Sequence, residues 1–264
     1  MSVDIERAAE TLRAAYESGK PCPPLRGDLL PEGDVESAYA VQQAQVRRWV
    51  ADGRRPVGAK IGLTSRVVQE SLGVHQPDFG VLLADMAVPD GAEIDLGRLL
   101  QPRVEAEVAF VLGHDLPFEE VTVADVIHAT DHLLPALEIV DSRVTDWDIS
   151  IVDTVADNAS AGLFVLGNTP RRLVDVDLRL CGMVLEQAGE PVSVGAGAAC
   201  LGNPLHAVAW LAVTLARAGN PLRAGDVVLS GALGPMVPVT PGGAYEARIS
   251  GLGSVRTCFS KEAA

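Results

Sequence analysis

The segment Arg103-Val-Glu-Ala-Glu-Val-Ala-Phe-Val-Leu112 carries two carboxylates two residues apart. Strict alternation places Val104, Ala106, Val108, Phe110 and Leu112 on one face of a strand, and Glu105, Glu107, Ala109 and Val111 on the other. On spacing alone, a solvent-facing pair and a ligand pair stand equal. A third acid, Glu138, lies in Pro135-Ala-Leu-Glu-Ile-Val-Asp141, an apolar run in which a lone carboxylate is costly to bury without a partner. Three converging carboxylates repel one another unless a divalent cation sits between them. Oxygen-only ligation suits Mg2+ or Mn2+ and disfavours zinc or copper. The alternative is that Glu138 pairs with an arginine such as Arg143.

Lys60 sits in the apolar, glycine-flanked run Val57-Gly-Ala-Lys-Ile-Gly-Leu-Thr-Ser65. An ammonium there is paired with an acid, kept as a proton-transfer group, or simply reaches out to water from an edge strand. Asp78, in His75-Gln-Pro-Asp-Phe-Gly80, occupies a turn-like setting where an Asp ordinarily caps backbone amides. Asp157, Asn158 and Ser160 form a polar loop just before an apolar strand, suited either to a small ligand or to solvent. Gly231, opening Gly231-Ala-Leu-Gly-Pro235, permits close approach of backbone to a ligand or merely turns the chain. The sequence has no Gly-x-Ser-x-Gly elbow, no Walker loop and no dinucleotide fingerprint. His128 and His132 fall four apart on an expected helix, without the intervening Glu of a zinc protease.

These residues need a scaffold. Apolar positions from Ile5 to Tyr16 recur at helical spacing behind Asp4 and stop at Gly19, and a second helix runs from about Asp34 to Gly53. After Pro56 the chain turns to short runs rich in Val, Ile and Leu. Strands are expected at Val57–Gly62, Val104–Leu112, Leu137–Val140, Gly162–Leu166, Leu178–Leu185, Val227–Ser230 and Tyr245–Ile249. Helices are expected over Val123–Leu134 and from Asn203 to Gly219. The order of elements predicts an α+β protein, with a helical N-terminal region over residues 1–72 and a β-rich region over 73–264.

Of the 264 residues, 48% are hydrophobic, and 21 Lys plus Arg oppose 35 Asp plus Glu, giving a net charge of −14. Such a field argues against nucleic acid or an anionic membrane as partner. An organic anion as ligand would need a local cation. Four scattered cysteines suggest neither a disulfide framework nor a thiolate metal site, and a reducing cytoplasm is the expected home. Charged residues near the start leave no secretory signal, and the apolar stretch Leu205–Ala216 is short for a membrane span.

Together these segments resemble the 2-keto-4-pentenoate hydratase family of the fumarylacetoacetate hydrolase superfamily. The resemblance runs through Gly58–Ser65, Gln76–Gly80, Arg103–Glu107, Pro135–Glu138, Val140–Arg143, Asp153–Ser160, Gly231–Met236 and Gly251–Ser254. It implies a C-terminal β-roll body, assembly into a homo-oligomer, and a complex with a pathway decarboxylase. It implies Glu105, Glu107 and Glu138 as ligands of Mg2+ or Mn2+, Lys60 and Asp78 as acid-base residues, and Ser160, with Asn158 and Gly231, at the substrate. The implied reaction hydrates 2-hydroxypenta-2,4-dienoate, a small-molecule 2-oxo/2-hydroxy dienoate, to 4-hydroxy-2-oxopentanoate in meta-cleavage of aromatic compounds. Rival activities are hydration of a dicarboxylic dienoate, 4-oxalocrotonate decarboxylation, and a non-catalytic scaffold role. A second substrate carboxylate would call for a further cation, which the spacing does not place. Asp78 favours hydration, since the decarboxylases lack that acid, and no histidine matches the dyad of the C–C hydrolases.

Overall fold

The computed structural model describes residues 3–71 and 73–262, and the elements and counts below refer to these. Two capped helices open the chain. In α1 (Ile5–Ser18) the Asp4 side chain accepts from the Arg7 amide, and Gly19 closes the helix in the left-handed conformation. In α2 (Val35–Ala51) Asp34 accepts from the Ser37 amide. Then follow β1 (Pro56–Gly62), α3 (Arg66–Ser71), β2 (Asp78–Leu83), β3 (Ala87–Val88), β4 (Glu93–Ile94), β5 (Pro102–Leu112), α4 (Val123–Ala129) and β6 (Thr130–Asp141). The chain continues through α5 (Ile151–Ala156), β7 (Ala161–Leu166), β8 (Gly182–Gln187), β9 (Glu190–Ala196), α6 (Pro204–Arg217), β10 (Val227–Leu229), β11 (Val237–Pro238), β12 (Ala244–Ile249) and β13 (Gly253–Phe259).

The result is an α+β fold with two mixed sheets. The larger has the order β2-β1-β10-β5-β6-β7-β3, with β11 also on β5, and the smaller has the order β4-β13-β12-β8-β9. β1, within the first 72 residues, is an interior strand of the larger sheet, parallel to β10 and antiparallel to β2. The main core lies between the sheets and under α6, and contains Phe110, Leu137, Phe164, Val208, Leu211 and Phe259. A second cluster joins α1 and α2 to α5 through Leu12, Val41, Val152 and Val155.

The expected strands all form, with shifted ends. The helix expected over Val123–Leu134 stops at Ala129, and β6 begins at Thr130. Pro135 disfavours helix in the residue before it and cannot donate inside one, while residues 133–139 find partners across β5. His132 therefore stands on a strand, beside Asp131, and the expected helical His128/His132 pair does not form. Residues 153–156, which precede the polar loop, belong to the buried helix α5, where Asp153 forms a capping box with Ser150. The strand expected to start at Leu178 begins at Gly182. The stretch Gly197–Arg217 has the length and apolarity of a membrane span. Only Pro204–Arg217 is α-helical, however, and its Leu205, Val208, Leu211 and Leu215 are buried in the core.

Candidate metal centre

Register brings the acids together. Glu105 of β5 pairs directly with Glu138 of β6, so both side chains leave the same face, and Glu107 follows on that face one repeat along. One oxygen from each of the three lies within 4.8 Å of the others. Glu107 and Glu138 are buried, while Glu105 is half-buried. Glu107 Oε1 and both oxygens of Glu138 have no hydrogen-bond donor. Buried acceptors in that state are costly unless something absent from the protein satisfies them.

The curl of the sheet carries Lys60 of β1 to the same place. Its Nζ lies 3.0 Å from Glu138 Oε1, without the alignment of a hydrogen bond. Glu138 thus pairs with Lys60, while Arg143, the alternative partner, is engaged elsewhere. Asp78 sits opposite Gly62 in the β1–β2 ladder, two residues along from the Lys60–Gly80 pair. A Cβ on Gly62 would lie 2.1 Å from Asp78 Oδ1, so only glycine lets this carboxylate tuck against β1. Alternation along both strands makes Lys60, Gly62, Asp78 and Gly80 one face, with acid-base side chains and empty glycine positions interleaved.

The electrostatics follow from burial. Burial pushes Asp78 up to about 6, against the pull of Lys60 and with a further push from Glu138. Burial, then the charge of Glu138, pushes Glu105 up to about 7. Glu107 is raised well above the usual range by burial and by its two acidic neighbours, although the Gly231 amide donates to its Oε2 at 2.8 Å. For Lys60 burial opposes the ammonium, but Glu138, Asp78, Glu105 and Glu107 outweigh it and hold the group above its ordinary value. The site is therefore an anionic pocket containing one lysine, a donor set of hard oxygens that fits a divalent cation.

The backbone of Gly231 reaches the acid cluster. Beyond β10 the chain stays beside β5, with Ser230 N donating to Val108 O and Leu233 N to Ala106 O. Between them Gly231, at φ +98°, turns its N–H to Glu107, and a Cβ would lie 2.5 Å from Thr64. Its backbone thus approaches a carboxylate of the protein. Asn158 likewise is occupied: its Oδ1 accepts from Val81 N at 2.8 Å and its Nδ2 donates to Val81 O at 3.0 Å, strapping the loop to β2. Ser160 is buried, with its Oγ 3.3 Å from Thr154 Oγ1.

The spacing did not reveal what holds this loop. Asn158, Ala159 and Ser160 are three successive left-handed residues, at φ +53°, +52° and +53°, a conformation that costs about 1–2 kcal/mol per non-glycine residue. Arg143, 1% exposed, grips both ends: Nε donates to Asp157 Oδ1 at 2.5 Å, Nη2 to Asp157 O at 2.6 Å and Nη1 to Ala161 O at 3.0 Å. Tyr16 of α1 covers the guanidinium, 4.6 Å from ring centroid to Cζ. On the outer side Tyr39 of α2 stacks on Phe79 at 4.7 Å, and Gln42 donates to the carbonyls of Phe79 and Val155. The N-terminal helices thereby brace both β2 and the α5–β7 loop.

Comparison with known proteins places this arrangement. The model of the fumarylacetoacetate (FAA) hydrolase C-terminal family matches residues 55–260, which defines the class of protein. The TodF product hydratase of Pseudomonas putida F1 is 58% identical over 257 residues, covering 97% of this chain and 96% of that protein. The 2-keto-4-pentenoate hydratase of Paraburkholderia xenovorans is 58% identical over 254 residues, covering 96% and 94%. The structure of 4-oxalocrotonate decarboxylase from Pseudomonas putida G7, complexed with magnesium and adipate, superposes with a TM-score of 0.92 at 37% identity, covering 98% and 99%. The chain belongs to the 2-keto-4-pentenoate hydratase family within the fumarylacetoacetate hydrolase superfamily, and it is a hydro-lyase that acts on a small molecule and uses a divalent metal.

Proposed function

We propose that the protein hydrates 2-hydroxypenta-2,4-dienoate, the enol form of 2-keto-4-pentenoate, to 4-hydroxy-2-oxopentanoate in meta-cleavage degradation of aromatic compounds. The observation that carries this reading is the set of donorless carboxylate oxygens on Glu107 and Glu138, facing Lys60 and Asp78 in one buried roll. The names of the relatives support the substrate. Glu105, Glu107 and Glu138 would hold the cation, and their hard oxygens suit Mg2+ or Mn2+. When bound, the cation supplies neutralising charge and polarises the oxygens of the substrate.

The remaining work falls to the chain. Turning the dienol into the 4-hydroxy-2-oxo acid adds protons at C5 and C3 and removes one each from the C2 hydroxyl and the attacking water. Lys60, kept as an ammonium by Glu138, is the donor on this reading. Asp78, across one strand pair from it, takes the proton of the attacking water. Ser160 contacts the substrate, with Asn158 holding its loop to β2 and Gly231 fixing Glu107. The buried apolar side chain of Phe164, paired with Glu138 across the β6–β7 ladder, lines the roll and limits bulk water.

We also place the enzyme in the cytoplasm as a homo-oligomer that meets a pathway decarboxylase. Support comes from unpaired cysteines at 22, 181, 200 and 258 and from exposed Val67, Val174, Leu180 and Val194. The test of the mechanism is Asp78→Asn. Hydration should fall by about 10²-fold or more, on the scale of a lost general base, while Mg2+ affinity stays within about threefold. An unchanged hydration rate would remove Asp78 from the chemistry.

A further inference from the structure

The charge count of this site leaves an anionic substrate without attraction. Three ionised glutamates, one lysine and a divalent cation sum to zero, and ionised Asp78 makes the sum negative inside a chain of net charge −14. A carboxylate ligand needs one more local cation.

Arg103 stands where that cation is required. β5 runs in unbroken register with β6 from Pro102 to Val111, so Arg103 projects from the same face as Glu105 and Glu107, at the end of their row. Glu105 is the charged group acting on its guanidinium. Glu105 is also the one acid of the three with solvent contact, so the site opens on the side of Arg103. The guanidinium lies 4.3 Å from the ring centroid of Trp147, and its Nη1 lies 3.8 Å from Met236 Sδ. Trp147 is itself pinned, with Nε1 donating to Gln101 O at 2.9 Å. These contacts orient the guanidinium without neutralising it. Among the described residues no carboxylate oxygen lies within 4.0 Å of it, whereas Arg143, Arg26 and Arg54 are each paired with an aspartate. A stacked guanidinium with open N–H edges is a preformed fork for a carboxylate.

We propose that Arg103 is the receptor for a substrate carboxylate at the mouth of the metal centre, with Trp147 and Met236 positioning it. The assignment rests on the hydratase reading for the identity of the substrate. With Asp78 ionised it brings the local sum from negative to zero, and it sets an unpaired positive charge beside the cation to receive an organic anion.

The test compares Arg103→Met and Arg103→Lys with the wild type, all loaded with Mg2+. For Arg103→Met the KM for 2-hydroxypenta-2,4-dienoate should rise about 10- to 100-fold, the range of a lost charge-assisted pair, with kcat within about threefold. Arg103→Lys, which keeps charge but loses the fork, should fall between. Mg2+ affinity of the substrate-free protein, measured by calorimetry, should be unchanged or tighter in Arg103→Met, because a neighbouring positive charge is gone. Added salt should raise KM in the wild type more than in Arg103→Met. An unchanged KM in a folded, Mg2+-binding Arg103→Met protein overturns the assignment and leaves the hydratase reading standing. Wild-type protein that does not turn over the dienoate sinks the hydratase reading instead. In that case calorimetry with 2-oxopentanoate, a saturated 2-oxo acid, still decides: binding at least about tenfold weaker in Arg103→Met supports the receptor, and equal binding refutes it.

Discussion

Replacing Glu105 with Gln should stabilise the metal-free protein and remove its response to metal. Burial and Glu138 raise the Glu105 carboxyl from its ordinary 4.5 to about 7 in the folded state. Between those values the folded chain binds more protons than the unfolded chain, so stability falls as pH rises through the window and is lowest above it. Each tenfold change in proton affinity is worth about 1.4 kcal/mol, giving about 3 kcal/mol by pH 8. Glu105 keeps some solvent contact, and Lys60 loses a favourable neighbour in the variant, so a gain of about 2 kcal/mol is the better expectation. At roughly 2–4 °C per kcal/mol for a chain of this size, Tm should rise by about 4–8 °C at pH 8 and by little at pH 5. Thermal denaturation in chelator, then with excess Mg2+, measures both effects. Mg2+ should raise Tm in the wild type by mass action and fail to do so in the variant, so the order of the two proteins reverses. A Glu105→Gln protein that is less stable than wild type in chelator at pH 8 would refute the idea that these acids repel one another across a shared site.

The loop and the acid-base face make two further predictions. Arg143→Met should cost about 3–5 kcal/mol by chemical denaturation because Asp157 is left buried and unpaired, and adding Asp157→Asn should recover much of the loss. Strict additivity of the two changes would contradict the pairing. In Gly62→Ala the new methyl must displace Asp78, and a shift of the order of 1 Å should cost about 10²-fold in hydration with Mg2+ affinity retained. Wild-type turnover in that variant would show that the position of Asp78 is unimportant.

The acids were legible in the sequence because burial of charge leaves a mark on its surroundings. Period-two alternation put Glu105 and Glu107 on one face, and Glu138 stood out in an apolar run. Lys60 was conspicuous for the same reason. Their convergence was not legible on that basis, because it depends on the curl and strand order that bring β1 to β6. The boundary of α4 was misjudged because cross-strand pairing of residues 130–134 overrides local helical spacing. Asp157, Asn158 and Ser160 suited either a ligand or solvent, and the structure shows a third use for the polarity in and before this loop: Asp153 holds the amides of Leu25 and Arg26, Asp157 holds Arg143, and Asn158 holds Val81. Nothing in local spacing could announce those partners, which lie far along the chain or across a turn. Arg103 was visible as the head of the acidic strand, but its neighbours Trp147 and Met236 come from distant loops.

The measurement that bears most directly on the function is the ultraviolet absorbance of 2-hydroxypenta-2,4-dienoate on addition of purified protein and Mg2+, followed by mass analysis of the product. Dienoate absorbance should decay only with metal present, and the product should have gained the mass of one water. Persistence of the absorbance with metal-loaded, folded protein, or a product that has lost carbon dioxide, would contradict the assignment as a hydratase of this substrate.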